Sequence, residues 1–138
     1  METPASATVL GAFVTGSQAY GTATKDSDID LVCFVSEETK QQLIELAGGL
    51  PVRFGKLNLI LETSVGMFAA WKAAKEACVQ SNKDLVSQGL KPLTKLEVCH
   101  IHDDYGIPQR EGNPSHTPES REAAAEYRQQ EREKRGMQ

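Results

Sequence analysis

The sequence has few cysteines and no long apolar run. Its 138 residues include only Cys33, Cys78 and Cys99, which cannot all pair and show no C-x-x-C spacing for zinc or redox chemistry. No stretch approaches the ~20 apolar residues that cross a bilayer. Residues 1–4 show no basic segment followed by an apolar one, so we do not expect the protein to be secreted. We therefore expect a cytoplasmic protein with reduced thiols and no membrane segment.

Positive charge is also scarce. The chain has 15 Lys and Arg against 19 Asp and Glu, a formal net charge of -4. Because it offers no global positive field to a phosphate backbone, nucleic acid is not expected to be its primary ligand. Carboxylates that hold a cation add negative charge to the count while being neutralised locally, so the acidity favours a metal site. The length and the 39% hydrophobic content suit one compact domain.

The first half of the chain alternates between β-type and helical patterns. Apolar runs at residues 8–15 and 29–35 predict two strands. Ser36, acidic residues after it and Gly48-Gly49 predict a helix with an N-cap and a glycine stop. Residues 52–54 and 57–61 are apolar and are separated by Gly55-Lys56. They form either a hairpin or one bulged strand, and the sequence does not decide between these.

The second half is predicted to be helical and then polar. Thr63 or Ser64 could cap a helix that runs to about residue 79, and residues 82–89 could add a shorter one. Thr94 with Glu97 fits a capping box for a helix that ends near residue 104. We expect a domain over residues 1–107, followed at 108–138 by a polar linker and a C-terminal helix or disordered tail.

One stretch carries a possible chemistry. Gly16-Ser17 follows the first predicted strand directly, and Asp28-Ile29-Asp30 opens the second. Gly16 would let a phosphate approach the backbone closely, and Ser17 adds a hydroxyl donor and amides that would point at the anion if a helix starts there. Residues two apart in a strand share a face, so the two aspartates would face one side and could hold magnesium, while Ile29 would face the core.

This pattern resembles the DNA polymerase beta-like nucleotidyltransferase superfamily, whose motif is G-S, ten residues, then D-x-D on a strand. The spacing from Gly16-Ser17 to Asp28 fits without a gap, and the resemblance covers roughly residues 8–61, in particular the minimal, single-domain (MNT-like) members. It implies an α/β (α+β) fold with a small mixed β-sheet flanked by helices. It also implies that Asp28 and Asp30 are catalytic and bind Mg2+, and that Gly16, Ser17 and Lys25 bind a nucleoside triphosphate.

The sequence departs from the family at the third carboxylate, which usually lies in the middle of a later apolar strand. Asn58 occupies that place, and an amide adds no charge and is a poor general base. Glu62 would lie on the same strand face, but four residues span ~13 Å, too far to replace Asn58 without a register shift. Glu62 could equally be an acid at a helix start or a surface charge.

The expected activity is transfer of a nucleoside monophosphate, AMP in the first instance, from a triphosphate to a hydroxyl or amine. A protein acceptor or partner is attractive because no second domain is evident to hold a small acceptor. The alternative is a catalytically degenerate module, an antitoxin-like or assembly subunit, that binds a nucleotide or partner without turnover. The oligomeric state is not predicted. His100 and His102 are ~200° apart on a helix and are expected to form an exposed polar helix end, with a metal site there disfavoured.

Overall fold

The computed structural model describes residues 8–110 and 112–136. The expectation about residues 1–4 lies outside these, as do residues 137 and 138 of the predicted C-terminal segment. The described residues form four strands and five helices. The strands are β1 (Val9–Thr15), β2 (Ile29–Val35), β3 (Val52–Phe54) and β4 (Leu57–Glu62). The helices are α1 (Ser17–Tyr20), α2 (Glu37–Ala47), α3 (Val65–Ser87), α4 (Lys95–Asp104) and α5 (Pro118–Lys134).

The four strands make one mixed sheet in the order β1-β2-β4-β3. Strand β2 is parallel to β4 and antiparallel to β1, while β3 and β4 pair antiparallel as a hairpin across Gly55-Lys56. The hairpin decides between the two alternatives left open by the sequence. The predicted α+β class with a small mixed sheet is therefore confirmed.

The local signals that start and stop the early elements act as expected. Strand β2 has the predicted bounds, and β1 begins one residue later than predicted. The Ser36 hydroxyl accepts a hydrogen bond from the backbone N–H of Thr39 at 3.1 Å, and Gly48 ends α2 in the left-handed conformation. Because these caps fix both ends of α2, the chain returns to form β3 beside β4.

Helix α3 packs its first turns against one face of the sheet. The ring centroid of Phe68 lies 5.1 Å from that of Phe13 and 5.5 Å from that of Phe34. Gly11 makes room for this ring, since a Cβ at Gly11 would lie 3.3 Å from Phe68. Phe13 and Phe34 share this face with Asp30, so the apolar contact covers one part of the face and the polar residues occupy another.

The opposite face departs from the prediction for Ile29. This side chain was expected to face the core, but it is 41% exposed, whereas Cys33 and Val35 further along the same face are buried. Ile29 is the first residue of β2, where the strand enters the sheet. Burial on this face therefore begins further along the strand than alternation alone suggests.

Contacts divide the chain into two compact units, one ending at Lys75 and the other starting at Glu76. Helix α3 begins in the first unit and ends in the second. The sequence predicted a break between a helix to about residue 79 and a second one from residue 82; this was wrong. Neither Gly nor Pro lies between Val65 and Ser87 apart from Gly66 in the first turn, so nothing interrupts the helix.

The second unit joins α4 and α5 by polar contacts. The predicted capping box is confirmed: the Thr94 hydroxyl accepts from the Glu97 N–H, and the Glu97 carboxylate accepts from the Thr94 N–H. The C-terminal segment forms a helix rather than a disordered tail, capped by Thr117 with Pro118 at its first position. The boundary at residue 107 stays a prediction. None of the helices in the described residues is long and apolar enough to cross a membrane.

Candidate active site at the end of strand β1

Gly16 lies at the junction of β1 and α1, directly against Asp30. Its backbone has φ 71° and ψ -161°, a region that is essentially restricted to glycine. A Cβ placed on Gly16 would lie 2.3 Å from Oδ2 of Asp30 and 3.1 Å from its carboxyl carbon. The residue is therefore glycine for two reasons, the backbone conformation and the space that the carboxylate occupies.

Asp30 is flanked on the sheet by polar side chains from both neighbouring strands. It pairs with Thr15 of β1 and with Asn58 of β4, and in-register residues present their side chains to the same face. The amide Nδ2 of Asn58 donates to Oδ1 of Asp30 at 3.0 Å. The position where the family usually has a carboxylate is thus directly beside Asp30 and is filled by a hydrogen-bond donor.

Asp28 precedes β2 and is held by an arginine. Nη2 of Arg53 lies 2.6 Å from Oδ2 of Asp28, and the two side chains are 42% and 40% exposed. Arg53 pairs with Asn58 across the β3–β4 hairpin, so it belongs to the same row of residues as Asp30. Arg53 therefore has a defined partner at the motif.

The residues around the Gly16 turn contribute further contacts. Thr15 is buried, and its hydroxyl lies 2.9 Å from that of Tyr20, so this hydrogen bond joins β1 to α1. Ser17 is the half-buried first residue of α1. Lys25 is exposed, and its backbone carbonyl accepts from Nζ of Lys56 at 2.8 Å.

Glu62 does not share the row of Asp30. The parallel register pairs Glu62 with Phe34, four residues along β2 from Asp30, whereas Asn58 pairs with Asp30 itself. Four residues of strand span ~13 Å. The structure therefore brings Asn58 and Asp30 together and leaves Glu62 at the other end of the strand pair.

The oxygen donors of Asp28, Asp30 and Asn58 fit a divalent cation. Asp28 and Asp30 offer hard carboxylate oxygens, the ligands that Mg2+ prefers. Oδ1 of Asn58 is buried and accepts no hydrogen bond within the part of the chain that the structure describes. Residues 8–110 and 112–136 contain no group of three or more His, Cys, Asp or Glu side chains arranged for a metal. The two aspartates with the Asn58 carbonyl oxygen are thus the set that could hold one here.

The histidines of α4 serve the second unit. His100 is buried and its Nε2 lies 2.9 Å from the Ser120 hydroxyl, so the expectation of an exposed polar helix end is wrong for this residue. Burial, with the nearby His116 and Arg110, lowers the pKa of His102 to about 4. These side chains join α4 to the segment that leads into α5.

Comparisons with known proteins place the chain in a family. Neither a search of curated proteins nor a search of solved structures gave a match. A scan against family models matched the nucleotidyltransferase domain over residues 3–133, nearly the whole chain. This match includes both halves of the G-S and D-x-D motif and supports nucleotidyl transfer as the general activity. The chain belongs to the nucleotidyltransferase domain family, as its resemblance to the polymerase beta-like superfamily predicted.

Proposed function

We propose that this chain transfers a nucleoside monophosphate, AMP in the first instance, from a triphosphate to a hydroxyl or amine. The observation that carries this is the contact of the Asp30 carboxylate with Gly16. It joins the glycine-serine turn to the D-x-D strand in three dimensions, as a phosphate-binding turn beside acidic residues requires. The family match over residues 3–133 supports the same reaction type.

Each residue of the motif has a role in this proposal. Gly16 lets the triphosphate approach the backbone, Ser17 donates its hydroxyl, and the exposed Lys25 offers a cation to the phosphates. Asp28 and Asp30 are the proposed catalytic carboxylates, and they would hold Mg2+ together with the Asn58 carbonyl oxygen. When bound, the cation would neutralise phosphate charge and favour in-line displacement at the α-phosphorus.

The reaction itself is a single displacement. The acceptor oxygen or nitrogen forms a bond to the α-phosphorus, the bond to the α–β bridging oxygen breaks, and pyrophosphate leaves. The acceptor proton passes to a carboxylate of the site. Positioning and charge stabilisation supply most of the rate in such reactions, so side chains that orient Asp28 and Asp30 matter as much as their charge.

We further assign the chain to the minimal, MNT-like members, with a protein as the acceptor or partner. The spacing of the motif from Gly16-Ser17 to Asp28 supports this assignment, because it is similar to that of the minimal members. A cytoplasmic location is part of the proposal. Its support is that Cys33, Cys78 and Cys99 are all buried and form no disulfide.

A noncatalytic nucleotide-binding module is the second candidate. Two contacts favour it: Asn58 donates to Asp30, and Arg53 neutralises Asp28, so each carboxylate is already satisfied by a protein donor. A metal is then not needed to relieve repulsion between the aspartates. This candidate retains nucleotide binding at Gly16 and Ser17 and loses transfer.

Labelled triphosphates separate the two candidates. The chain is incubated with α-labelled ATP, GTP, CTP or UTP and Mg2+, alone and with a cell extract as a source of acceptor, and label transfer and pyrophosphate release are measured. We expect release in the native chain, a loss of at least about 100-fold in Asp30→Asn, and no change in Asp26→Asn. Asp26 is the matched control because it is exposed and lies outside β2. Saturable ATP binding without release would support the module instead.

Asn58→Asp tests the departure from the family directly. The variant restores the third carboxylate in the register position beside Asp30. If the missing carboxylate at position 58 limits the rate of transfer, pyrophosphate release should rise by about tenfold or more. The exposed Gln41→Glu change on α2 adds the same charge elsewhere and should leave the rate unchanged. A rate that stays at zero in Asn58→Asp would count against transfer at this site.

A further inference from the structure

Asp28 is one of the proposed ligands of the divalent cation, and its carboxylate already forms an ion pair with Arg53. The 2.6 Å distance between Nη2 of Arg53 and Oδ2 of Asp28 is that of a close, charge-assisted hydrogen bond. Arg53 reaches Asp28 from β3, the edge strand, two strands away from β2 in the sheet order. Arg53 itself pairs with Asn58 of β4, the strand that lies between β3 and β2.

We infer that Arg53 competes with the divalent cation for Asp28, so that the cation-free site is closed on its own guanidinium. The inference rests on the proposed function in that Asp28 is taken to be a cation ligand. A guanidinium at 2.6 Å from one carboxylate oxygen would stand within a few ångströms of a cation bound to the same group. Like charges at that separation repel strongly, more so where water is partly excluded.

Arg53 can leave Asp28 without disturbing the core. Its side chain is 42% exposed, it lies on the three-residue edge strand β3, and only Val52 of that strand is buried. Exposed ion pairs contribute little to stability, so the pair is weak enough for a cation to displace. The freed guanidinium would remain beside the site, where its planar fork suits a phosphate of the triphosphate.

Lys56 provides a matched control for charge. Its backbone carbonyl accepts from the N–H of Ile29 at 2.8 Å, which places Lys56 next to the residue that follows Asp28. Its Nζ donates to the carbonyl of Lys25 rather than to a carboxylate. Removing the Lys56 charge changes the local potential in a similar way to removing that of Arg53, but it leaves the Asp28 pair intact.

Binding of Mn2+, followed by the loss of its free-ion electron paramagnetic resonance signal, tests the competition without any turnover. The native chain is titrated beside Arg53→Gln, Lys56→Gln, Asp28→Asn and the double variant Arg53→Gln/Asp28→Asn. We expect Arg53→Gln to tighten Mn2+ binding by about fivefold to tenfold and Lys56→Gln by less than about twofold. In the Asp28→Asn background, Arg53→Gln should have no effect beyond that of Lys56→Gln.

The outcomes separate this inference from the proposed function. Weaker binding in Arg53→Gln would overturn competition and make Arg53 a positioning residue for Asp28. Equal binding in the native chain and in Arg53→Gln would also overturn it while leaving a cation site in place. If neither the native chain nor Arg53→Gln binds Mn2+, and circular dichroism shows both are folded, the metal part of the proposed function fails together with the competition.

Discussion

Gly16 determines both the backbone conformation of the turn after β1 and the space available to the Asp30 carboxylate. Its φ of 71° with ψ of -161° would strain any other residue, and the Asp30 carboxylate occupies the space of its missing Cβ. We expect Gly16→Ala to lower the free energy of unfolding by about 2–6 kcal/mol, because backbone strain and overpacking each cost about 1–3 kcal/mol. It should also displace Asp30 and abolish nucleotide binding. Urea unfolding and nucleotide titration measure both effects.

Gly21 is the matched control for this substitution. It also has a positive φ, 80°, but a Cβ there would meet nothing within 4 Å. Gly21→Ala should therefore cost only the left-handed backbone, about 1–2 kcal/mol, and should leave nucleotide affinity unchanged. Equal losses of unfolding free energy and of nucleotide affinity in the two variants would show that the contact of Gly16 with Asp30 contributes to neither.

At the residue scale, the sequence could identify the candidate residues but not their contacts. The spacing of Gly16, Ser17, Asp28 and Asp30 singled them out because the chemistry needs those types, and the register of the sheet brings Asp30 to Gly16. The ion pair of Arg53 with Asp28 was not predictable, because it depends on how β3 pairs with β4. A hairpin turn and a bulge at Gly55 have the same local sequence signal and give different partners.

At the scale of the elements, strong local signals succeeded where both ends of an element were marked. Helices α2 and α4 have capping residues or turn glycines at their limits, and both were predicted. Helix α3 was divided wrongly, because its hydrophobic pattern weakens after Cys78 although the helix continues to Ser87. The absence of a helix-breaking residue was the better signal.

Helix α5 illustrates what composition alone conceals. It lacks a wide apolar stripe, yet Arg128 and Glu131 are buried on one side of it. Arg128 donates to both carboxylate oxygens of Glu97 and, at 2.8 Å, to the carbonyl of Lys91. Glu131 accepts from the N–H of Lys91 at 2.5 Å. The helix is thus anchored by charge where a sequence-based view expects apolar contact.

Arg128 stabilises α5 through its ion pairs with Glu97 and Glu131. Arg128→Gln would leave the Glu97 and Glu131 carboxylates without their cation, and breaking a buried pair costs about 3–5 kcal/mol. We expect a loss of that size in chemical unfolding, together with faster amide hydrogen exchange in α5. Arg132→Gln removes an exposed hydrogen bond to Gln88 and should stay within about 0.5 kcal/mol. A small effect of Arg128→Gln would mean that apolar contacts hold α5 in place.

At the scale of the whole molecule, the pH dependence of stability should be set by the histidines of α4 before the carboxylates act. Burial and the neighbouring His116 and Arg110 lower the pKa of His102 from 6.5 to about 4, and burial lowers that of His100 as well. Hydrogen bonds to Arg121 and to the Lys91 N–H lower the pKa values of Asp103 and Glu131 from 3.8 and 4.5. Protonation of Asp103 and Glu131 therefore lowers the stability of the folded chain only below about pH 4.5.

The lowered pKa of His102 makes the folded chain less stable as the pH falls. Between pH 6.5 and about 4 the unfolded chain binds protons at His102 that the folded chain does not, so the stability present above pH 6.5 is lost as the pH falls. We expect Tm to drop by roughly 5 °C across this window, after allowing for the partial exposure of the ring. His102→Gln should make the curve shallower between pH 4.5 and 6.5, with His100 giving the remaining slope, and should leave the decline below pH 4.5 in place. Scanning calorimetry of both proteins over this range checks it, and an equally steep native and variant curve would show that His102 is not the group that titrates.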